Sequence, residues 1–404
     1  MALVFLHHVV GDLTLGKPDL VQFSDAETVE SAVRAIADSA EGSITVWRRT
    51  PADKPPPPPS ADRFVGILNS LEVVAFLARA GADGQEKAMR TPVSELVTPN
   101  PNLLKMVDPG TRLIDALDMM KQGVRRLLVR KSFAWKGFSK RFSIMYNGKW
   151  LKNLQSSSLG GASNSDLPST SALPDNKFCC LSREDVVRFL IGCLGALAPL
   201  PLSSISSIGA VSSSYSCIEA SSPALEASYK IPHDPSAIAV VETNFDGTHK
   251  IIGDISAYKL WKCDYWAAAW AMANLSAGQF VVGADDYGTS PTSIPDFPIN
   301  SPAEDDGAGA SPRPRKFSSR SIGFFNSHVN QMSTGTGRSR SMYRGRSAPL
   351  TCKHTSSLAA VMAQMLSHRA THVWVTDADL EDDVLVGIVS YTDILNAVTK
   401  YPAT

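Results

Sequence analysis

Near the end of the chain, Ser390 and Asp393 stand three residues apart, where the apolar stretch Gly387-Ile388-Val389 gives way to Ile394-Leu395. A hydroxyl and a carboxylate at this spacing, between a strand and a helix, can do two kinds of chemistry. One is structural: the serine accepts from an orphan amide in the first helical turn, and the acid reaches back to the serine amide. A carboxylate there also suits the helix dipole. The other is binding. Free amides and partial positive charge at a helix start attract phosphate, and a short carboxylate can accept from both hydroxyls of a ribose. At one junction alone the residues do not choose.

The junction has relatives. Gly66-x-x-Asn69-x-x-Glu72, Cys179-x-x-Ser182-x-x-Asp185 and Gly253-x-x-Ser256-x-x-Lys259 each join an apolar strand to an apolar-faced helix. Upstream, apolar residues recur at helical spacing: Val29, Ala32, Val33, Ile36; Leu113, Ala116, Leu117, Met120; Leu358, Val361, Met362, Met365. A poorer match lies around Ala224, Ala227 and Ser228. β-type segments follow at 43–47, 125–129, 236–241 and 371–375. The chain therefore reads as strand–helix–strand–strand–helix, four times.

The spacing between positions 66, 179, 253 and 387 is uneven because of inserts. Ser132–Lys177 and Ala284–Ser347 are rich in small, polar and breaker residues. Removing about 45 and about 60 residues leaves a unit of roughly 70 each time. Expected boundaries are 15–80 for unit 1, 91–195 for unit 2 with a loop insert at 132–177, and 199–283 for unit 3. A disordered linker at 284–347 and unit 4 at 348–404 complete the chain. The proline run within 50–63 reads as an extended surface loop.

A four-times repeated β-α-β-β-α unit closing on Gly-h-h-Ser/Thr-x-x-Asp-h resembles the CBS domain. The resemblance implies an α+β fold of two CBS pairs (Bateman modules), about 1–198 and 199–404. It is closest to plant proteins built only of CBS repeats, the CBSX type, and more distant from the gamma subunit of AMP-activated and SNF1-type kinases. It implies AMP, ADP, ATP or S-adenosylmethionine as a regulatory ligand, with the serine on phosphate and the aspartate on ribose. Only units 2 and 4 keep both residues, Ser182 with Asp185 and Ser390 with Asp393. Glu72 is a methylene longer, and Lys259 replaces the acid, so at most one competent site per pair is expected. Arg125 and Arg126 hold the strand-entry position where related sensors carry basic residues, and unit 4 offers Arg369 and His372. An exposed helix lysine is the expectation for Lys259.

Composition sets bounds. The 44% apolar content supports a sizeable core, and 39 basic residues balance 39 acidic ones, so bulk charge gives no case for nucleic acid or membrane. The six cysteines lack metal-ligand spacing and read as reduced, Cys179 and Cys180 as small buried hydrophobes. No apolar run reaches the ~20 residues of a membrane span, and no cleavable leader is expected, so the expected location is cytoplasmic. Residues 313–346 carry eight bases and no acid, and 285–306 six acids and no base. These blocks read as a solvated linker whose serines suit phosphorylation. No stretch is left over for a catalytic domain. The expected role is a non-catalytic regulator that senses an adenosine-type nucleotide and modulates a protein partner, a kinase or a metabolic or redox enzyme. A homodimer is also compatible. The alternative is a scaffold on CBS pairs that has lost its ligands.

Overall fold

In a computed structural model the chain is described at residues 4–49, 59–81, 84–131, 177–282, 348–377 and 383–400, with two short pieces at 145–146 and 149–150. Unit 4 shows how the repeat arises. Leu358, Val361, Met362 and Met365 fall on one side of the helix Leu358–His368 and are all buried. Ser357 starts this helix by accepting from the Ala360 amide, and Arg369, left-handed at φ 53°, ends it. The fully buried strand His372–Thr376 then lies between a short parallel strand, Thr351–Lys353, and an antiparallel one, Leu385–Ser390. Helix Tyr391–Lys400 closes the unit.

The same three-stranded order recurs around the central strands Ser43–Trp47, Arg126–Arg130 and Ala237–Thr243. Unit 3 carries a variation. Its closing helix stops after one turn, Ala257–Leu260, and Lys262 turns left-handed at φ 70°. Asp264 then caps a new helix, Tyr265–Asn274, by accepting from the Trp266 and Ala267 amides. That helix is apolar nearly all round because it lies in the core shared by units 1 and 3, beside helix Ser70–Ala80.

The units pack in two directions. Sheets meet within each half of the chain: Trp47 and Phe64 against Leu104, Leu128 and Phe178, then Ala237, Ala239 and Ile251 against Trp374, Leu385 and Ile388. Helices meet across the halves, unit 1 with unit 3 and unit 2 with unit 4. Each unit thus offers its sheet to one neighbour and its helices to another, and the two pairs associate within one chain.

A segment from outside the repeat completes each unit. The amide of Leu113 donates to His8, Val93 to Glu27, Ala277 to Ser222 and Leu358 to Ser203, all through backbone carbonyls. These contacts explain the motif glycines. A Cβ at Gly253 would lie 2.5 Å from Val281, and one at Gly387 would lie 2.6 Å from Val211 and 2.8 Å from the Ser212 carbonyl. The glycine therefore admits the completing segment.

Among the described residues no helix is long and apolar enough to cross a membrane. The described cysteines are free, and Cys179 is fully buried while Cys180 is partly so. In the first insert, Met145–Tyr146 pairs antiparallel with Lys149–Trp150, a feature that a plain loop does not contain. The rest of that insert, the proline run up to residue 58 and the linker up to residue 347 lie outside the described residues.

Candidate functional site

Three of the four junctions form the reciprocal cap. The Asn69 side chain accepts from the Glu72 amide at 3.0 Å, and Glu72 accepts from the Asn69 amide at 2.9 Å. Ser182 and Asp185 do the same at 3.3 and 2.8 Å, and Ser390 and Asp393 at 3.4 and 2.8 Å. In unit 3 the Ser256 hydroxyl is buried and makes no hydrogen bond among the described residues. Sheet register places a fixed neighbour opposite each polar residue: Ser43 faces Asn69, Arg126 faces Ser182, Ala237 faces Ser256 and His372 faces Ser390. The pairs Arg126–Ser182 and His372–Ser390 are thus brought opposite one another across the sheet, Arg126 within electrostatic reach of Asp185.

In unit 2 two residues that sequence reasoning missed complete the cluster. Glu41, from the loop of unit 1, accepts from Arg126 and, at 2.9 Å, from the Ser182 hydroxyl. Lys17 lies 2.6 Å from Asp185 and 3.6 Å from Glu41. Arg126 also donates to Ser43 at 2.9 Å. The Arg126 guanidinium and the Lys17 ammonium overcome the burial of Glu41 and hold its carboxyl down at about 2. Asp185 moves up, because burial and the Glu41 charge outweigh Lys17. Glu184, buried beside both carboxylates, rises to about 7 despite its pair with Arg188. No local pattern flags Lys17 or Glu41, since both are ordinary loop residues that reach the cleft by folding.

Unit 4 is arranged differently. Asp393 accepts from the amide and hydroxyl of Ser390, the latter at 2.6 Å, and burial raises its carboxyl above the ordinary range. His372 is wholly buried, edge-on to Tyr258 and Trp374 at 5.6 and 5.0 Å. Its Nε2 lies 3.7 Å from Asp254 of unit 3. Asp254 in turn lies 2.7 Å from Lys259, whose charge holds the carboxyl far below its usual range although burial opposes this. Lys259 is therefore not the exposed helix lysine expected from sequence. Its side chain is 12% accessible because a buried carboxylate on the neighbouring strand needs a cation. A signal existed here: an aspartate inside the apolar strand "IIGDIS" requires a partner.

Arginines knit the junctions across the two halves. Arg183 of unit 2 pairs with Asp234 and donates to Thr392 at 2.9 Å and to the Met120 carbonyl at 3.0 Å. Arg125 donates to the His233 carbonyl. Arg369 is exposed, as a strand-edge charge should be, yet it stacks on Trp261 at 5.2 Å and donates to the Ala40 carbonyl at 3.2 Å. No cluster of three metal-competent side chains occurs among the described residues.

The model of the CBS domain matches residues 345–400, which is unit 4. Over its whole length the chain is 61% identical to CBS domain-containing protein CBSX6 of Arabidopsis thaliana, of which 96% is covered. It is 28% identical to CBSX5 of the same plant, with 99% of both chains aligned. A 139-residue stretch, 30% of this chain and 38% of the other, is 28% identical to the SNF1-related protein kinase regulatory subunit gamma-like PV42b. Among solved structures, a Methanocaldococcus jannaschii protein described as an archaeal homolog of g-AMPK shares the fold, with a TM-score of 0.52, 11% identity and 96% and 99% of the two chains covered. With four three-stranded units packed as two sheet-to-sheet pairs and a full-length relative at this identity, the chain belongs to the CBS domain-containing CBSX proteins.

Proposed function

We propose that this CBS-domain protein is a non-catalytic regulator that takes an adenosine-type ligand at the Ser390–Asp393 junction of unit 4 and modulates a protein partner. One observation carries the reading: the part-buried Asp393 carboxylate has Ser390 as its hydrogen-bonding partner and forms no ion pair among the described residues, whereas Asp185 is tied to Lys17. A carboxylate held in place but not neutralised is suited to accept from a ribose diol. AMP, ADP, ATP and S-adenosylmethionine are the ligand candidates. The segment similar to a kinase regulatory subunit makes a kinase the first partner to test, with a metabolic or redox enzyme second. Ligand binding can shift the partner only by as much as its affinity differs between the two states of the pair.

Calorimetric titration of the purified chain with the four ligands tests this. Binding of one of them, lost in Asp393→Ala and kept in Asp185→Ala, is the expected result. No binding of any at millimolar concentration, with partner capture unchanged by nucleotide, would favour the second reading, a ligand-free interaction subunit. Glu72 and Lys259 speak for that second reading, since neither can replace a ribose-binding aspartate.

A further inference from the structure

The unit 2 cleft already holds an anion, and the anion is the chain's own. Glu41 meets the Ser182 hydroxyl, the Arg126 guanidinium and, at 3.6 Å, the Lys17 ammonium. A hydroxyl at a helix start with two cations is the donor set that a phosphate at that position would use. The cations are buried, with side chains 8% and 13% accessible for Lys17 and Arg126. Their charges are matched by Glu41 and Asp185, and Arg188 is matched by Glu184. Two donors at this cluster, the Arg188 Nε and the Tyr391 hydroxyl from unit 4, are buried without a hydrogen-bond partner among the described residues, and the Tyr391 hydroxyl lies within electrostatic reach of Glu184, Glu41 and Asp185.

The loop that carries Glu41 is held from the other half of the chain. Gly42, at φ 65°, lies against the Trp261 ring, where a Cβ would come within 2.9 Å. Trp261 donates to the Ile36 carbonyl at 2.9 Å, and Arg369 bridges Trp261 to the Ala40 carbonyl. Units 3 and 4 therefore set where the Glu41 carboxylate sits.

We propose that Glu41 is an internal counter-anion that closes the unit 2 cleft to phosphate-bearing ligands, and that removing it turns Lys17, Arg126 and Ser182 into an external anion site. The inference is independent of nucleotide binding at unit 4. The full chain, Glu41→Gln and the double variant Glu41→Gln/Arg126→Gln are titrated with inorganic pyrophosphate and melted in it, against chloride at matched ionic strength. Glu41→Gln should bind pyrophosphate at least about tenfold more tightly than the wild type and gain melting temperature in it, and the double variant should lose the gain. Should Glu41→Gln be unfolded in chloride, a cooperative transition restored by pyrophosphate alone is the same positive result. Wild-type affinity equal to that of the variant, a gain that survives loss of Arg126, or a variant unfolded in both salts would each overturn the proposal. Pyrophosphate has no ribose and Asp393 is intact in all three proteins, so failure of nucleotide binding at unit 4 leaves this outcome unchanged.

Discussion

The two halves of the chain solve one problem in different ways. In each, the basic residue opposite the motif serine, Arg126 or His372, meets an acid from the preceding unit, Glu41 or Asp254. Glu41 comes from a loop, so it reaches past Arg126 to the Ser182 hydroxyl and shares Lys17 with Asp185. Asp254 comes from a strand, so it points into the sheet interface and is matched by Lys259 of its own unit. The first half thereby draws Ser182 and Asp185 into an ion network, while in the second Ser390 and Asp393, among the described residues, bond to each other. Identical motif residues differ in availability because of where the neighbouring unit places one carboxylate.

The largest effect should come from breaking the network at Arg126. Arg126→Met removes the nearer of the two cations from the buried Glu41 and should cost about 3–5 kcal/mol in urea unfolding. Asp185→Asn comes next, at about 2–3 kcal/mol, because the buried Lys17 loses the charge of its 2.6 Å partner. Gly387→Ala should cost about 1–3 kcal/mol, since the added Cβ meets the Ser212 carbonyl, which cannot move without its segment. Asp393→Asn, the counterpart of Asp185→Asn, should cost only about 0.5–1 kcal/mol, the worth of part of a cap. Equal losses for Asp185→Asn and Asp393→Asn would break the contrast between the halves.

The smallest effect near neutrality concerns Glu184. Its carboxyl is raised from an ordinary 4.5 to about 7 in the folded protein, so the fold binds more protons than the unfolded chain between those values. Its contribution to stability therefore falls as pH rises through that window. Glu41, lowered to about 2, acts oppositely, and its contribution is lost as pH falls below about 4.5. Glu184→Gln should gain on the wild type as pH rises from about 4.5 to 7, by under about 1 kcal/mol over the last pH unit because the folded carboxyl is itself losing its proton near 7. A stability difference independent of pH across that range would show that Glu184 ionises normally.

Much was legible from local pattern. The helices over Val29–Asp38, Leu113–Lys121 and Leu358–His368 follow from apolar residues at helical spacing, a property of neighbours in sequence. The caps at Asn69, Ser182 and Ser390 are legible for the same reason, since a cap spans three residues. Unit 3 was harder, because its closing helix breaks at Lys262 and restarts at Asp264, with no repeat to copy.

Four β-α-β-β-α units, their junctions and which of them keep a serine with an aspartate are thus written in local sequence pattern. Which aspartate is drawn into an ion network is set by the tertiary fold alone. Lys17 lies 168 positions before Asp185, and Glu41 lies 85 before Arg126, yet both end within ion-pair reach. Electrostatics acts through space and is strongest where burial removes water. A residue's partners at such a site are therefore set by the packing of sheets and loops from distant parts of the chain, which no local spacing records.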